Sequence, residues 1–173
     1  MTEPTFRSDM KVELIDFMGG DGRAVQAART STLGASASGE EERAGLINFL
    51  WREGHHVPFE TSVFTFRIEC PIFVSRQLVK HRTTAIREES GRYRELDGTL
   101  YVPSEGRPLG QAGRTGEYNM VHLGEHEETR LAVEMVRASQ RAWASYEHML
   151  RNGAAKEVAR MVLPVNLYSS MYV

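Results

Sequence analysis

The densest chemistry in the sequence lies between Arg76 and Glu95. There Arg76, Lys80, Arg82, Arg87, Arg92 and Arg94 stand against Glu88, Glu89 and Glu95, a local excess of three positive charges. The chain as a whole is slightly acidic, with 21 Lys and Arg against 23 Asp and Glu and a formal net charge of −2 over 173 residues. A basic segment on an acidic chain is what a local anion site requires, whereas a mainly electrostatic nucleic-acid binder would be basic throughout. Ser90-Gly91-Arg92 adds a hydroxyl, a glycine whose backbone can approach an oxyanion closely, and a guanidinium able to grip phosphate with two hydrogen bonds. A charged helix end running into a solvated loop would use the same residue types, so both readings stay open on composition alone.

Other candidate chemistries read less well. His122-Leu-Gly-Glu-His126 matches the H-x-x-E-H pattern of inverted zinc peptidases, but Gly124 weakens the helix such a site needs, and Glu127 and Glu128 extend an acidic run suited to a helix start. We therefore expect no metal. Gly19-Gly20-Asp21-Gly22 lacks the Lys-Ser or Lys-Thr of a phosphate loop and reads as a turn. His55 and His56 are adjacent and so point in different directions, which is poor geometry for chelation. Cys70, the single cysteine, allows neither an intrachain disulfide nor a cysteine zinc cluster and fits a reducing cytoplasm.

Several elements must position these residues. Val12 to Met18 reads as a strand, followed by a helix containing Ala24 to Arg29. Ser38 and Glu41 form a capping box, after which Leu46, Ile47, Leu50 and Trp51 recur at helical spacing until Gly54. From Ser62 to Cys70, Phe64, Phe66, Ile68 and Cys70 alternate with Val63, Thr65, Arg67 and Glu69, predicting a strand with one apolar face that buries Cys70. Pro71 opens a predicted helix running to Arg82. Residues 104–121, with Gly106, Gly110, Gly113 and Gly116, read as a long, poorly ordered loop. A long helix then carries Leu131, Met135, Ala138, Ala142, Ser145 and Met149 on one stripe and stops at Asn152-Gly153. A last helix spans Ala155 to Leu163. The class is α+β, a sheet packed with helices.

The composition, 41% apolar and 25% charged, is that of a globular protein, and no apolar run approaches the roughly 18 residues of a membrane span. The amino terminus lacks the apolar core of a signal peptide. One domain over residues 1–173 is the expectation for this length. The apolar ending Met171-Tyr172-Val173 points to a chain that is incomplete at its carboxyl end.

Lys80-His81-Arg82, seven intervening residues, then Ser90-Gly91-Arg92-Tyr93 resembles the Arg-His-Arg…Ser signature of the flavin-dependent thymidylate synthases. Ala27-Ala28-Arg29 with Ser31, the Gly54-His55 to Pro58-Phe59-Glu60 stretch, the run from Pro71 to Arg76-Gln77, and Glu157-Val-Ala-Arg160 to Leu163-Pro164 are similar to that family in the same order. The resemblance implies reductive methylation of dUMP to dTMP, with methylenetetrahydrofolate giving the carbon, NADPH the hydride and FAD relaying it. It implies a homotetramer with active sites between subunits. By the same resemblance Gln77, Leu78, Val79, Lys80, Glu88, Glu89, Ser90, Gly91, Arg92 and Arg160 match positions that hold dUMP, with Arg92 and Arg160 near its phosphate. Ser31, His55, Val57, Lys80, His81, Arg82 and Glu88 match positions near the flavin. Cys70 stays a core residue in this reading, so no covalent enzyme–uracil bond is expected. Lys80 stands where the signature has arginine and loses its planar fork, and Arg87 replaces an asparagine. The ring-activating arginine of the family is expected beyond Val173. The alternative is a catalytically impaired domain that binds nucleotide and flavin and assembles into oligomers.

Overall fold

The computed structural model describes residues 3–32 and 39–173. In chain order the elements are β1 (Thr5–Arg7), β2 (Lys11–Met18), α1 (Asp21–Arg29), α2 (Glu40–Arg52), β3 (Val63–Pro71), α3 (Ile72–Leu78), β4 (Arg87–Glu88), β5 (Thr99–Tyr101), β6 (Gly110–Arg114), β7 (Glu117–Val121), α4 (Glu125–Arg151), α5 (Lys156–Ala159) and β8 (Tyr168–Tyr172). Short 3-10 turns cover Thr30–Thr32, Val57–Thr61 and Arg160–Val162. Helices and sheets mix in an α+β arrangement, as the sequence predicts. No helix among the described residues is long and apolar enough to cross a membrane. The chain divides into two compact units, Met1–Lys11 with Ile68–Val173, and Val12–Arg67.

In the larger unit, α4 supplies the wall against which the rest is built. Its buried side chains Ser139, Trp143 and Tyr146 follow a helical stripe one residue removed from the stripe predicted through Leu131 and Met149. The two aromatic rings decide this, because they carry far more apolar area than the alanines and methionines of the neighbouring stripe. Trp143 and Tyr146 meet Leu100, Ala159 and Leu167 in the core, with Phe6, Ile72, Leu96 and Leu163 packed around them. β1 pairs with β5 in parallel, bringing Phe6 opposite Leu100, and β8 pairs antiparallel with β4, bringing Met171 opposite Glu88. Met171 is 1% exposed, so the apolar residues near the end of the sequence belong to a packed strand.

Polar groups close the gaps that the strands leave. Asn166 donates from Nδ2 to the Tyr101 carbonyl at 2.8 Å and to Ser139 Oγ at 3.0 Å, which satisfies a serine buried on an otherwise apolar stripe. The Tyr168 hydroxyl donates to the Asp9 carbonyl at 2.6 Å, and the Arg7 guanidinium lies 4.7 Å from the centre of the Tyr168 ring. Burial pushes the Tyr168 phenol up to about 12. Asp9 and Glu69 both accept from Arg7, so the first strand is pinned by charge as well as by its ladder.

Three segments differ from expectation. The helix opened at Pro71 ends at Leu78 rather than Arg82, and Pro71 itself is the residue before the helix. His81 N bonds the Leu78 carbonyl, and Thr84 then takes the His81 carbonyl through both its amide and its hydroxyl, so local turn bonds replace the helical ladder. The glycine-rich stretch is ordered as the hairpin β6–β7, with Gly116 in the turn at φ 88° and Gly113 on β6 at φ 102°, both values that favour glycine. Its base is held by one carboxylate. Glu128 Oε1 accepts from Leu123 N at 3.2 Å and Leu109 N at 3.4 Å, with His122 Nδ1 at 3.1 Å, and these bonds hold the Glu128 carboxyl below the usual carboxylate range. Finally, the predicted last helix breaks into α5 and the 3-10 turn that begins at Arg160.

In the smaller unit, β2 and β3 are neighbours, and α1 and α2 follow a turn at Gly19-Gly20. Gly20 N donates to Ser62 Oγ at 2.9 Å, and a Cβ on Gly19 would stand 2.6 Å from that oxygen, so the turn needs glycine. Ser38 of the predicted capping box lies outside the described residues. α2 starts at Glu40 after Gly39, with Glu40, Glu41 and Glu42 placed to complement the helix dipole. Leu50 is buried while Trp51 points outward, edge-on to the rings of His56 and Phe59. Phe64 is 48% exposed, so the predicted apolar face of β3 is not uniformly covered and burial increases toward Cys70.

Candidate functional site

The loop between β4 and β5 is braced on both sides before it forms a site. Arg94 bridges Glu89 at 3.4 Å and Asp97 at 2.7 Å, and Leu96 N donates to the Tyr146 hydroxyl at 3.0 Å. Ser90 Oγ accepts from Arg92 N at 3.3 Å, a turn bond that orients the Ser90-Gly91-Arg92 backbone. Gly91 is buried, and a Cβ there would stand 2.8 Å from Leu96 Cδ1 and 3.2 Å from Arg160 Cδ. Gly91→Ala should therefore cost about 1 to 2 kcal/mol as these neighbours shift, read as a lower urea midpoint at an unchanged slope.

This loop forms one side of a cleft of about 430 Å³ lined by α3, the α5 turn and β8 as well. Its floor is apolar, with Ile72, Leu96 and Leu167, and its charged lining comprises Arg76, Glu88, Glu89, Glu157 and Arg160. Neither Arg76 nor Arg160 has a carboxylate or hydrogen-bond partner for its side chain among the described residues. Arg160 is half-buried, so an anion beside its guanidinium would offset hydration already lost, whereas Arg76 is exposed and keeps its water. Arg92 stands next to the cleft and holds Glu157 through Nε at 3.3 Å. Burial pushes the Glu89 carboxyl up, with Arg94 acting against that shift.

Four of the residues assigned by resemblance to dUMP, Glu88, Glu89, Gly91 and Arg160, line this one cleft. Ser90 and Arg92 flank it in sequence. Gln77, Leu78, Val79 and Lys80 do not line it; Gln77 Oε1 instead accepts from Lys80 Nζ at 3.0 Å at the end of α3. Of the residues assigned to flavin, Lys80, His81, Arg82 and Glu88 lie in the larger unit and Ser31, His55 and Val57 in the smaller. His55 lies 6.1 Å from the Phe49 ring, Val57 is 73% exposed, and Ser31 Oγ donates to the Ala28 carbonyl. Arg76 and Glu157 also line the cleft and were not among the assigned residues, although both sit in segments that carried the resemblance. Their spacing was a usable signal: Arg76 precedes Gln77 on α3, and Glu157 lies three residues before Arg160 on the same helical turn.

Cys70 is 1% exposed, and burial together with the Glu88 charge pushes its thiol up, which leaves it a poor nucleophile. His122 precedes α4 and is engaged by Glu128, so His122 and His126 do not share a helix face.

The α+β frame thus presents a cleft with two guanidinium groups, unpaired among the described residues, amid three carboxylates, which offers anchor points for an anionic small molecule. The family described as thymidylate synthase complementing protein matches residues 13–173, and the chain belongs to that family. It is 44% identical over 175 residues to a flavin-dependent thymidylate synthase of Tropheryma whipplei strain TW08/27, covering 99% of this chain and 73% of the relative. It is likewise 44% identical over 176 residues to one from Streptomyces avermitilis, covering 98% of this chain and 72% of that relative. Among solved structures, the UMP/dUMP methylase PolB from Streptomyces cacaoi bound with 5-Br dUMP superposes with a TM-score of 0.89 at 40% identity, covering 97% of this chain and 74% of that one.

Proposed function

We propose that residues 1–173 act as one flavin-dependent thymidylate synthase domain, methylating dUMP to dTMP. The observation that carries this reading is the pair of unpartnered guanidinium groups, Arg76 and Arg160, in a cleft whose floor is apolar. Such a site suits a phosphate attached to a planar base whose ring face packs on apolar side chains. The names of the relatives, flavin-dependent thymidylate synthases and a UMP/dUMP methylase, support the same choice of nucleotide.

In this proposal Arg160 and Arg92 hold the phosphate, the Ser90-Gly91 backbone approaches it, and Glu88 and Glu89 orient the nucleoside, while Gln77, Leu78, Val79 and Lys80, which do not line the cleft, are assigned to dUMP by the resemblance alone. Lys80, His81 and Arg82 follow α3 as an exposed basic turn, and Arg82 has no carboxylate partner among the described residues, which fits the pyrophosphate of a flavin dinucleotide. Together with Ser31, His55, Val57 and Glu88 they are the residues that would hold FAD. Bound FAD would supply a relay for hydride from NADPH, and methylenetetrahydrofolate would supply the carbon. The remaining proposals are a homotetramer with active sites between subunits, and a cytoplasmic setting in which Cys70 stays reduced.

The experiment is calorimetric titration of dUMP, followed by incubation with FAD, NADPH and methylenetetrahydrofolate and quantitation of dTMP. Saturable dUMP binding and dTMP formation are expected. Binding without product would support the non-catalytic alternative, and absence of dUMP binding would overturn the assignment of the cleft.

A further inference from the structure

The cleft that should receive a phosphate is not uniformly basic. Beside Arg76 and Arg160, its charged lining is entirely acidic: Glu88, Glu89 and Glu157. Glu157 is the acid joined to an arginine of the proposed phosphate site, with Oε2 at 3.3 Å from Arg92 Nε. The side chains of Arg92 and Glu157 are 52% and 51% exposed, placing this ion pair toward solvent. An ion pair so exposed adds little to stability, so its consequence lies in what it does to ligands.

We infer that Glu157 limits the charge the site accepts, admitting a nucleoside monophosphate and rejecting a nucleotide with a second phosphate. This inference rests on the dUMP reading of the cleft. One phosphate dianion is matched by Arg160 and Arg92, and after that match Glu157 has lost its partner's charge and stands as an uncompensated carboxylate. A second phosphate on the solvent side then meets a like charge, in surroundings less polar than bulk water, where repulsion over several ångströms weighs about tenfold or more in affinity. Glu157 also lies three residues before Arg160, so the helical turn that presents the phosphate-binding guanidinium necessarily presents the carboxylate on the same side.

The test measures binding of dUMP, dUDP and the uncharged deoxyuridine to the wild type and to Glu157→Gln. The wild type should prefer dUMP over dUDP by about tenfold or more. Glu157→Gln should narrow that preference by about tenfold, mainly by tightening dUDP, and leave deoxyuridine unchanged. An unchanged dUMP/dUDP ratio in a variant that still binds dUMP would overturn the role of Glu157 and leave the substrate reading standing. Failure of the wild type to bind dUMP would overturn both. Should Glu157→Gln not fold, the wild type carries the test by itself: repulsion at a half-exposed carboxylate is screened, so the preference should fall between about 0.05 and about 0.5 M NaCl, and a flat ratio would overturn the inference.

Discussion

Replacing Arg160 by alanine should weaken dUMP binding by about a hundredfold while leaving the fold intact. Loss of a charge-assisted interaction with phosphate costs about 1.5 to 3 kcal/mol, and a hundredfold corresponds to about 2.8 kcal/mol. The side chain has no protein partner among the described residues, so its removal leaves no orphaned acid behind. Thermal stability of the unliganded protein should stay level or rise slightly, because a half-buried charge with nothing to pair is a liability to the fold. Arg160→Lys should recover part of the affinity, since lysine keeps the charge and loses the fork. Calorimetry with dUMP and a melting curve for each variant read both quantities. An affinity unchanged in Arg160→Ala would remove the phosphate from this end of the cleft.

Trp143→Ala should cost about 3 to 5 kcal/mol, which is a large part of the total stability of a domain. The indole is 5% exposed, lies 5.1 Å from the Tyr146 ring and packs in the cluster with Leu100 and Leu167. The backbone has been shaped around it: a Cβ on Gly98 would stand 2.7 Å from Trp143 Cε2. Loss of the ring leaves a cavity that neither Gly98 nor Ala159 can fill. The damage should also reach the cleft, because Leu96 both packs on this core and lines the site. Urea unfolding followed by tryptophan-independent circular dichroism should show the reduced midpoint, and Trp143→Phe should retain most of the stability. A loss below about 1 kcal/mol in Trp143→Ala would mean that the core lies elsewhere.

The parts of this fold that the sequence displayed are those governed by local periodicity or by turn chemistry. The strand from Val12, the helix before Gly54 and the stop at Asn152-Gly153 each need only neighbours in the chain to explain them, and each is present. The inward side of α4 was harder, because Ser139 interrupts the apolar stripe and becomes a core residue only when Asn166 reaches it. The end of α3 depends on how Thr84 captures the His81 carbonyl, a bond that a helical pattern does not announce. The hairpin at 110–121 was concealed by its glycines, which read as loop residues until Glu128 is seen closing its base. For the site, the charge excess from Arg76 to Glu95 located the loop, but the cleft also needs α5, whose approach is a matter of tertiary packing. Arg76 and Glu157 could therefore be counted as charges in the sequence, and only the fold gives them a common address.

The position of β8 bears on how the protein is born. Residues 166–172 bond to partners scattered along the whole larger unit: Asn166 with Tyr101, Leu167 with Ile72, Tyr168 with Asp9, Met171 opposite Glu88. The Tyr168–Asp9 bond alone spans 159 positions of sequence. On a translating ribosome, β1 and the β4–β5 loop emerge long before the strand that secures them, and their closure must wait until residues 166–172 clear the exit tunnel. Closure of the larger unit should accordingly come late in synthesis, with the cleft lined by α5 and β8 among the last features to form.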